Sequence, residues 1–267
     1  MNLNESIFRE YDIRGIVKLD FSKQVVENLG RAFGTYILRQ QGISVSISGD
    51  IRESSPILKK NFIKGLLSTG VNVIDIGILP TPVNYYSIYH LNTDAAVQIT
   101  GSHNPSEFNG FKFSCKNESF YGEKIQILKK MIINNDFDKG NGKIKKQDIL
   151  DDYIKMICSK IKLNKKLKVI IDSGNACGCL TVPQTLKKLG LNIEELYCDV
   201  DSSFPNHHPD PTVDSNLNDL VSKIKNNDFD LGMAFDGDAD RIVVIDEKGN
   251  IIRCDNLISL FLPEIIT

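Results

Sequence analysis

The chain has 267 residues, 41% of them hydrophobic and 25% charged, and a formal net charge of −2. This composition excludes disordered and fibrous proteins, and the balance of charge gives no electrostatic attraction to nucleic acid or to an anionic membrane. The length suits two compact domains, and a phosphorylated small molecule stays open as a ligand because local arginines would bind it.

Periodicity in the first half predicts alternating helices and strands. The order is a helix from Phe21 to about Gln41, the strand ISVSIS, a helix from about Ser55 to Ser68, the strand VNVIDIG, a helix from about Thr81 to Tyr89 and the strand DAAVQIT. Helices between strands act as crossover connections in largely parallel sheets. Residues 1–149 are therefore predicted to form an α/β domain.

The polar stretch NNDFDKGNGKIKKQD is predicted to be an exposed connection before a domain boundary near Leu150. After it come a helix to about Lys162, the strand KVIID, a helix ending at Gly190, the strand LNIEELY, a long loop, a helix to about Asn226, the strand DLGMAF and two strands joined by a turn at Lys248 and Gly249. Residues 150–252 are predicted to form a second α/β domain.

The last segment, residues 253–267, is predicted to be a helix that opens a third domain. Five apolar residues would cover much of its circumference: Leu257, Ile258, Leu260, Phe261 and Leu262. A helix with such a surface needs partners on more than one side. We therefore expect further structure to pack against it.

The segment MNLNESIFREYDIRG lacks the basic start and apolar run of a secretory signal, and no apolar stretch approaches membrane-spanning length. The six cysteines are scattered without a C-x-x-C pair, which argues against zinc and against a disulfide framework. We expect a soluble, cytoplasmic protein with reduced thiols and without a nucleic-acid or membrane partner.

Three aspartates alternate directly after an apolar strand in the segment AFDGDADR. Asp236, Asp238 and Asp240 would repel one another unless a cation lies among them. Mg²⁺ suits this set because it prefers oxygen ligands and commonly bridges carboxylates and phosphate. The alternative is a solvated acidic turn, since Asp-Gly and Asp-Ala steps are common in loops.

Two other protein classes share this spacing. A calcium-binding EF-hand is excluded, because its sixth position requires glycine and here holds Arg241. A Mg²⁺-dependent phosphatase would use Asp236 as its nucleophile with Asp238 two residues later, although such proteins usually have Thr or Val where this chain has Asp240. The phosphatase is kept as an alternative.

The segment VQITGSHNPSEFNGFKF begins as a strand and ends in a loop, at the position where α/β proteins bind ligands. A serine hydroxyl is a poor nucleophile alone, but a phosphorylated Ser102 could ligate a cation and pass on its phosphoryl group. His103 and Lys112 could move protons or neutralise phosphate charge. An ordinary turn with a solvated lysine explains the same residues equally well.

Two further segments carry polar residues. FREYDIRG contains Arg9, Tyr11 and Arg14, and arginine suits bidentate contact with phosphate, although a surface strand with an Arg–Asp pair is the simpler interpretation. SFPNHHPDPT contains His207 and His208, which point in different directions on an extended chain. The prolines there favour a rigid connection over a metal site.

Together these segments resemble the α-D-phosphohexomutase superfamily, and most closely the N-terminal portion of its bacterial phosphomannomutase/phosphoglucomutase family. FREYDIRG is similar to the N-terminal signature, TGSHNPSEFNGFK to the phosphoserine loop, FPNHHPDP to the inter-domain segment and FDGDADR to the magnesium loop. The resemblance implies two phosphohexomutase-type α/β domains with mixed, mostly parallel sheets, plus the start of a third.

The resemblance also implies a role for each site residue. Ser102 would carry the phosphoryl group and bind Mg²⁺ together with the three aspartates, Asp236, Asp238 and Asp240. The basic residues Arg14, Arg241, His103 and Lys112 would surround the transferred group, and Tyr11 and Arg9 would line the same cleft. The implied reaction moves a phosphoryl group between C6 and C1 of mannose or glucose phosphate through hexose 1,6-bisphosphate.

The sequence departs from the family in two respects. Gly49 occupies a position where the family frequently has arginine, whereas Asp50 and Arg52 match the family pattern. This difference weakens any claim of a supporting contact from this segment. Such mutases have four domains, so the resemblance implies a truncated chain that lacks the sugar- and phosphate-recognition domains and turns over substrate poorly alone. A further alternative is a non-catalytic fragment that needs the C-terminal domains from a second chain.

Overall fold

The computed structural model describes residues 3–116 and 118–266. Residues 1, 2 and 267, which open and close the expected domains, lie outside this described part. The chain divides into two compact units, Met1–Asp151 and Asp152–Thr267. Each unit contains one sheet with helices, which confirms the prediction of two α/β domains with mixed sheets.

The elements of the first unit are β1 (Ile13–Ile16), α1 (Val17–Asp20), α2 (Lys23–Arg39), β2 (Ser44–Gly49), α3 (Ser55–Leu67), β3 (Asn72–Ile78), α4 (Thr81–His90), β4 (Ala95–Ile99), β5 (Phe108–Cys115), α5 (Glu123–Ile133) and β6 (Ile144–Lys146). Helix α6 (Leu150–Lys160) begins at the division between the units. The second unit continues with β7 (Lys168–Asp172), α7 (Val182–Lys188), β8 (Asn192–Leu196), α8 (Asn218–Asn226), β9 (Leu231–Phe235), β10 (Ile242–Asp246), β11 (Ile251–Ile252) and α9 (Cys254–Ile265).

The first sheet has six strands in the order β1-β5-β4-β2-β3-β6. Strands β4, β2, β3 and β6 are parallel neighbours, whereas β5 runs antiparallel to both β4 and β1. Every residue of β4 is buried, as expected for a strand covered on both faces. Strand β5 therefore follows β4 through a tight connection, and the loop that contains Ser102 is this connection.

Aromatic packing holds α2 and α3 against the first sheet. Phe33 on α2 and Phe62 on α3 are fully buried and contact Phe111 or Phe113 on β5. Burial of each such side chain contributes about 1.5–3 kcal/mol. The two helices also approach closely at Gly65, where a Cβ atom would collide with the backbone of α2.

The connection after α5 differs from the prediction in one respect. Residues 144–146 form β6, whose backbone pairs in parallel with β3. All three side chains of β6 are exposed, so this edge strand shows no alternation of apolar and polar residues. Pairing of its backbone with β3, rather than burial of its side chains, makes it a strand.

The second sheet has the order β11-β10-β9-β7-β8. Its β7, β8 and β9 are parallel, and β10 returns antiparallel beside β9. The residues between β9 and β10 thus form a tight connection that begins at Asp236. Helix α9 exposes most of its apolar side chains, among them Leu260 at 65% and Ile265 at 72%. No described helix is long and apolar enough to cross a membrane.

Candidate functional site

Ser102 follows β4 and adopts an unusual backbone conformation. Its φ angle is 51°, in the left-handed region, and its side chain is fully buried. This region costs a non-glycine residue about 1–2 kcal/mol, so the surrounding contacts must hold it. One of them is a hydrogen bond from the Ser102 amide to Thr100 Oγ1 at 2.8 Å. The structure therefore fixes the backbone beneath the candidate hydroxyl.

His103 lies next to this hydroxyl. Its Nδ1 is 3.4 Å from Ser102 Oγ, which is longer than an ordinary hydrogen bond but within the range that catalytic pairs show before substrate binds. When Nδ1 is unprotonated, the imidazole can accept a proton from the serine hydroxyl. The pair is therefore arranged for proton movement at Ser102 Oγ.

Arg14 on β1 is connected to the same loop. It is 7% exposed, and its guanidinium donates hydrogen bonds to the side chains of Asp12 and Asn104. Its buried Nε has no hydrogen-bond partner among the described residues, so it retains a donor for an anion. Lys112 on β5 is half-buried and lies opposite Gln98 of β4.

The other two predicted residues of the first unit lie at its surface. Tyr11 is 75% exposed, and its ring lies 6.3 Å from that of Tyr121. Arg9 is exposed, and its backbone amide donates to the carbonyl of Asp12 at 3.0 Å. Both positions are open to a ligand from solvent.

Asp50 and Arg52, which the sequence left in doubt, are central to this loop. Both side chains are almost completely buried, and Arg52 Nε donates to Asp50 Oδ2 at 3.2 Å. Asp50 also accepts hydrogen bonds from Thr100 Oγ1 at 2.8 Å and from the amide of Gly101 at 3.1 Å. The signal that could have identified them is a charged pair directly after the predicted strand ISVSIS.

The second unit brings the three predicted aspartates together. One carboxylate oxygen from each of Asp236, Asp238 and Asp240 lies within 4.8 Å of the others. Asp236 and Asp238 are fully buried, and Asp240 is exposed. Three carboxylates that share one small volume supply the hard oxygen ligands that Mg²⁺ prefers. The donor set therefore fits Mg²⁺.

Backbone hydrogen bonds shape this acidic turn. Asp236 Oδ1 accepts from the amides of Asp240 and Arg241, each at 3.1 Å. The carbonyl of Gly237 accepts from the amide of Cys177, which begins the 3₁₀ turn Cys177–Leu180 after β7. The turn after β7 thus supports the turn after β9. The Arg241 side chain itself is exposed.

His207 is bound to a buried carboxylate at the end of β7. Its Nε2 lies 3.0 Å from Asp172 Oδ2, and Asp172 is 1% exposed. Burial alone would lower the pKa of His207, but the hydrogen bond and charge of Asp172 outweigh it and raise the pKa above its ordinary value. This histidine has a structural partner, as the sequence favoured.

The nearby thiols do not extend the acidic set. Burial raises the pKa of Cys179 to about 12 and that of Cys198 to about 11. Neither thiol belongs to the cluster of candidate metal ligands among the described residues, which consists of Asp236, Asp238 and Asp240. The described candidate ligands of this unit are oxygen atoms.

Comparison with known proteins identifies relatives of both units. The family model "Phosphoglucomutase/phosphomannomutase, alpha/beta/alpha domain I" matches residues 5–139, and the model for domain II matches residues 151–249. A phosphomannomutase/phosphoglucomutase of Pseudomonas putida is 43% identical over 265 residues, which are 99% of this chain and 57% of that protein. A phosphoglucomutase of Neisseria meningitidis serogroup B is 36% identical over 267 residues, with 99% of this chain and 58% of that protein covered.

A solved structure gives the same relationship. The crystal structure of a phosphoglucomutase/phosphomannomutase family protein from Burkholderia thailandensis matches with a TM-score of 0.95 and 38% identity, covering 99% of this chain and 60% of that one. The chain thus spans a little more than half the length of the relatives that it matches. These relatives are named as mutases, which does not favour the phosphatase alternative.

Proposed function

We propose that this chain, which belongs to the phosphoglucomutase/phosphomannomutase family, contributes the phosphoserine and the metal-binding turn of a phosphohexomutase. The reaction moves a phosphoryl group between C6 and C1 of mannose or glucose phosphate. The observation that carries the proposal is the cluster of three carboxylate oxygens from Asp236, Asp238 and Asp240. A cluster of this chemistry can bind a divalent cation, and such a cation would stabilise the charge of a transferred phosphoryl group.

Ser102 is proposed to be the residue that carries the phosphoryl group. Phosphoserine passes this group to the free hydroxyl of a hexose monophosphate: the hydroxyl oxygen bonds to phosphorus and loses its proton, while the bond from phosphorus to Ser102 Oγ breaks and Ser102 Oγ takes up a proton. The resulting hexose 1,6-bisphosphate then returns its other phosphoryl group to Ser102. His103, whose Nδ1 is 3.4 Å from Ser102 Oγ, is positioned to hold the proton exchanged at that oxygen.

Positive side chains are proposed to stabilise the transferred group. Arg14 supplies its unpaired Nε donor, and Lys112 and Arg241 supply further charge. Tyr11 and Arg9 are exposed and are proposed to contact the sugar phosphate. Pre-positioned positive groups stabilise the phosphoryl oxygens because negative charge is spread over them during in-line transfer.

Asp236, Asp238 and Asp240 would hold Mg²⁺, together with an oxygen of phosphorylated Ser102 as the family resemblance implies. When bound, Mg²⁺ supplies positive charge that polarises the phosphoryl oxygens. The protein contributes the arrangement of the turn, because the amides of Asp240 and Arg241 fix Asp236 Oδ1. We place this function in the cytoplasm.

The length of the chain bears on its activity. It covers 57% of the Pseudomonas putida protein, and substrate contacts remote from the reacting group raise the rate by orienting the sugar. We therefore expect slow turnover from residues 1–267 when they are assayed by themselves. The proposed domains are residues 1–149 with the phosphoserine loop, residues 150–252 with the Mg²⁺-binding turn, and residues 253–267 as the first helix of a third, with the remaining C-terminal domains as its partner.

Phosphoryl uptake from glucose 1,6-bisphosphate in the presence of Mg²⁺, followed by intact mass spectrometry, tests the proposal. The wild-type chain should gain one phosphoryl group, and Ser102→Ala should gain none. Ser106→Ala is the matched control, because Ser106 is an exposed serine of the same loop and should not affect uptake. Equal uptake by the Ser102→Ala variant would contradict the assignment of Ser102.

The alternatives give different outcomes in two assays, one of phosphate release and one of mutase turnover. An aspartate-nucleophile phosphatase would still release phosphate as the Ser102→Ala variant but not as Asp236→Asn. A fragment that needs a second chain would interconvert glucose 1-phosphate and glucose 6-phosphate only after the C-terminal region of a relative is added. Such rescue would support the expected partner.

A further inference from the structure

We propose that Arg52 is a positioning residue that holds the Ser102 loop in the conformation that presents its hydroxyl. This inference deepens the proposed function and rests on it for its role in phosphoryl transfer. Arg52 is 3% exposed and lies after β2. Its guanidinium donates hydrogen bonds to the carbonyl oxygens of four loop residues: Ser102 at 2.9 Å, Asn104, Pro105 at 2.7 Å and Phe108 at 3.2 Å. One side chain thus connects the loop from its serine to the start of β5.

Asp50 makes the burial of this charge tolerable. Its Oδ2 accepts from Arg52 Nε at 3.2 Å, and Asp50 is itself 1% exposed. A buried ion pair is stable only when its remaining donors and acceptors are satisfied. Here the other donors of Arg52 bind carbonyl oxygens of the loop, and Asp50 accepts hydrogen bonds from Thr100 Oγ1 and the amide of Gly101. The pair therefore fixes the loop from two directions.

The contacts explain why Ser102 keeps its left-handed backbone. Sparsely populated backbone conformations persist only where several contacts impose them. At Ser102 the amide donates to Thr100 Oγ1 and the carbonyl accepts from Arg52 Nη2. Arginine suits this role because its planar fork presents several donors at fixed angles, whereas lysine carries one compact ammonium group.

Substitution of Gly101 perturbs the same contact from the side of the loop. A Cβ atom at Gly101 would lie 2.5 Å from Arg52 Cζ and 2.8 Å from the carbonyl oxygen of Phe108, which Arg52 binds. The Gly101→Ala substitution therefore displaces the guanidinium while Arg52 itself is retained. If Arg52 positions the loop, Gly101→Ala and Arg52→Lys should produce the same local effect.

Amide hydrogen exchange on the whole chain measures the position of the loop directly. In both variants, exchange across residues 102–108 should accelerate about tenfold or more, the factor expected when one or two charge-assisted hydrogen bonds are lost. Exchange in α2 should stay unchanged. Arg39→Lys is the matched control, because Arg39 forms surface ion pairs with Asp136 and Asp138. Unchanged exchange in the loop, or equal acceleration throughout the first unit, would overturn the inference.

Phosphoryl uptake separates positioning from a merely structural role. At saturating glucose 1,6-bisphosphate, the rate of uptake by Arg52→Lys should fall about tenfold, while the half-saturating concentration changes by less than about twofold. Normal uptake rates in a variant with a loosened loop would refute the role in transfer. Absence of uptake by the wild type would contradict the proposed function, and the exchange comparison would still decide whether Arg52 positions the loop.

Discussion

Replacement of Asp238 by asparagine tests whether the acidic turn is built for a cation. Asp236 and Asp238 are fully buried, and their candidate ligand oxygens lie within 4.8 Å of each other. At that separation and an effective dielectric constant of about 20, two negative charges repel by about 3 kcal/mol. The Asp238→Asn substitution keeps the shape of the side chain and removes this repulsion. Without divalent cations, the free energy of unfolding of the variant should therefore be about 1–3 kcal/mol higher than that of the wild type. The gain can be smaller than the full repulsion because burial of the asparagine amide has a cost of its own.

Addition of Mg²⁺ should oppose this difference in stability. A ligand at a hundredfold excess over its dissociation constant stabilises the folded state by about 2.7 kcal/mol. Wild type should gain this amount in the second unit, whereas the Asp238→Asn variant, which lacks one anionic ligand, should gain much less. For a unit of this size, each kcal/mol corresponds to a rise of roughly 4 °C in Tm.

Differential scanning calorimetry in EDTA and across a Mg²⁺ titration measures both effects, because it can resolve separate transitions of the two units. Asp228→Asn is the control, since Asp228 is an exposed aspartate of the same unit. The electrostatic reasoning fails if Asp238→Asn is less stable than wild type in EDTA. The metal assignment fails if Mg²⁺ leaves the Tm of wild type unchanged.

Three further results are expected. The raised pKa of His207 means that the folded chain holds this proton more tightly than the unfolded chain does. The stability that the pair with Asp172 contributes is therefore complete below the ordinary pKa of 6.5 and is lost as the pH rises through the higher pKa of the folded state. Urea unfolding in a pH series should show this loss of stability, and the His207→Gln variant should lack it. Gly65→Ala should destabilise the first unit by about 1–3 kcal/mol, because its Cβ atom would press on the backbone of α2; urea midpoints measure the loss, and a midpoint equal to wild type would contradict it. Arg14→Lys should weaken binding of glucose 1,6-bisphosphate about tenfold, because lysine lacks the fork and the Nε donor; isothermal titration calorimetry would refute this if the affinity is unchanged.

Much of the fold could be predicted because periodicity reports burial. The largely apolar sequence of β4 and the amphipathic pattern of α2 indicate the burial that each element has in the structure. Strand β2 alternates serine with Val45 and Ile47, which predicts one exposed face, although both of its faces are buried. Strand β6 carries no such signal, because its three exposed side chains contribute nothing to a core. Its pairing with β3 is a property of the assembled sheet, which local periodicity does not encode.

The candidate site divides in the same way. Asp236, Asp238 and Asp240 lie within five consecutive positions, so their spacing alone indicated that their carboxylates would meet. Arg52 and Ser102 are 50 positions apart. Their contact depends on β2 and β4 being parallel neighbours, because this brings the ends of both strands to one edge of the sheet. No local pattern in the sequence shows that adjacency.

Both candidate sites contain arrangements that cost stability. The Ser102 loop holds a non-glycine residue in the left-handed region, and the acidic turn buries two carboxylates beside each other. Each arrangement costs free energy that a simpler sequence would avoid, for example with glycine at the serine position or asparagine in the turn. Proteins retain such features where a ligand or a reaction uses them. Ser102→Gly should therefore stabilise the first unit in urea while it removes phosphoryl uptake, and a destabilised Ser102→Gly variant would show that the backbone of this loop carries no strain.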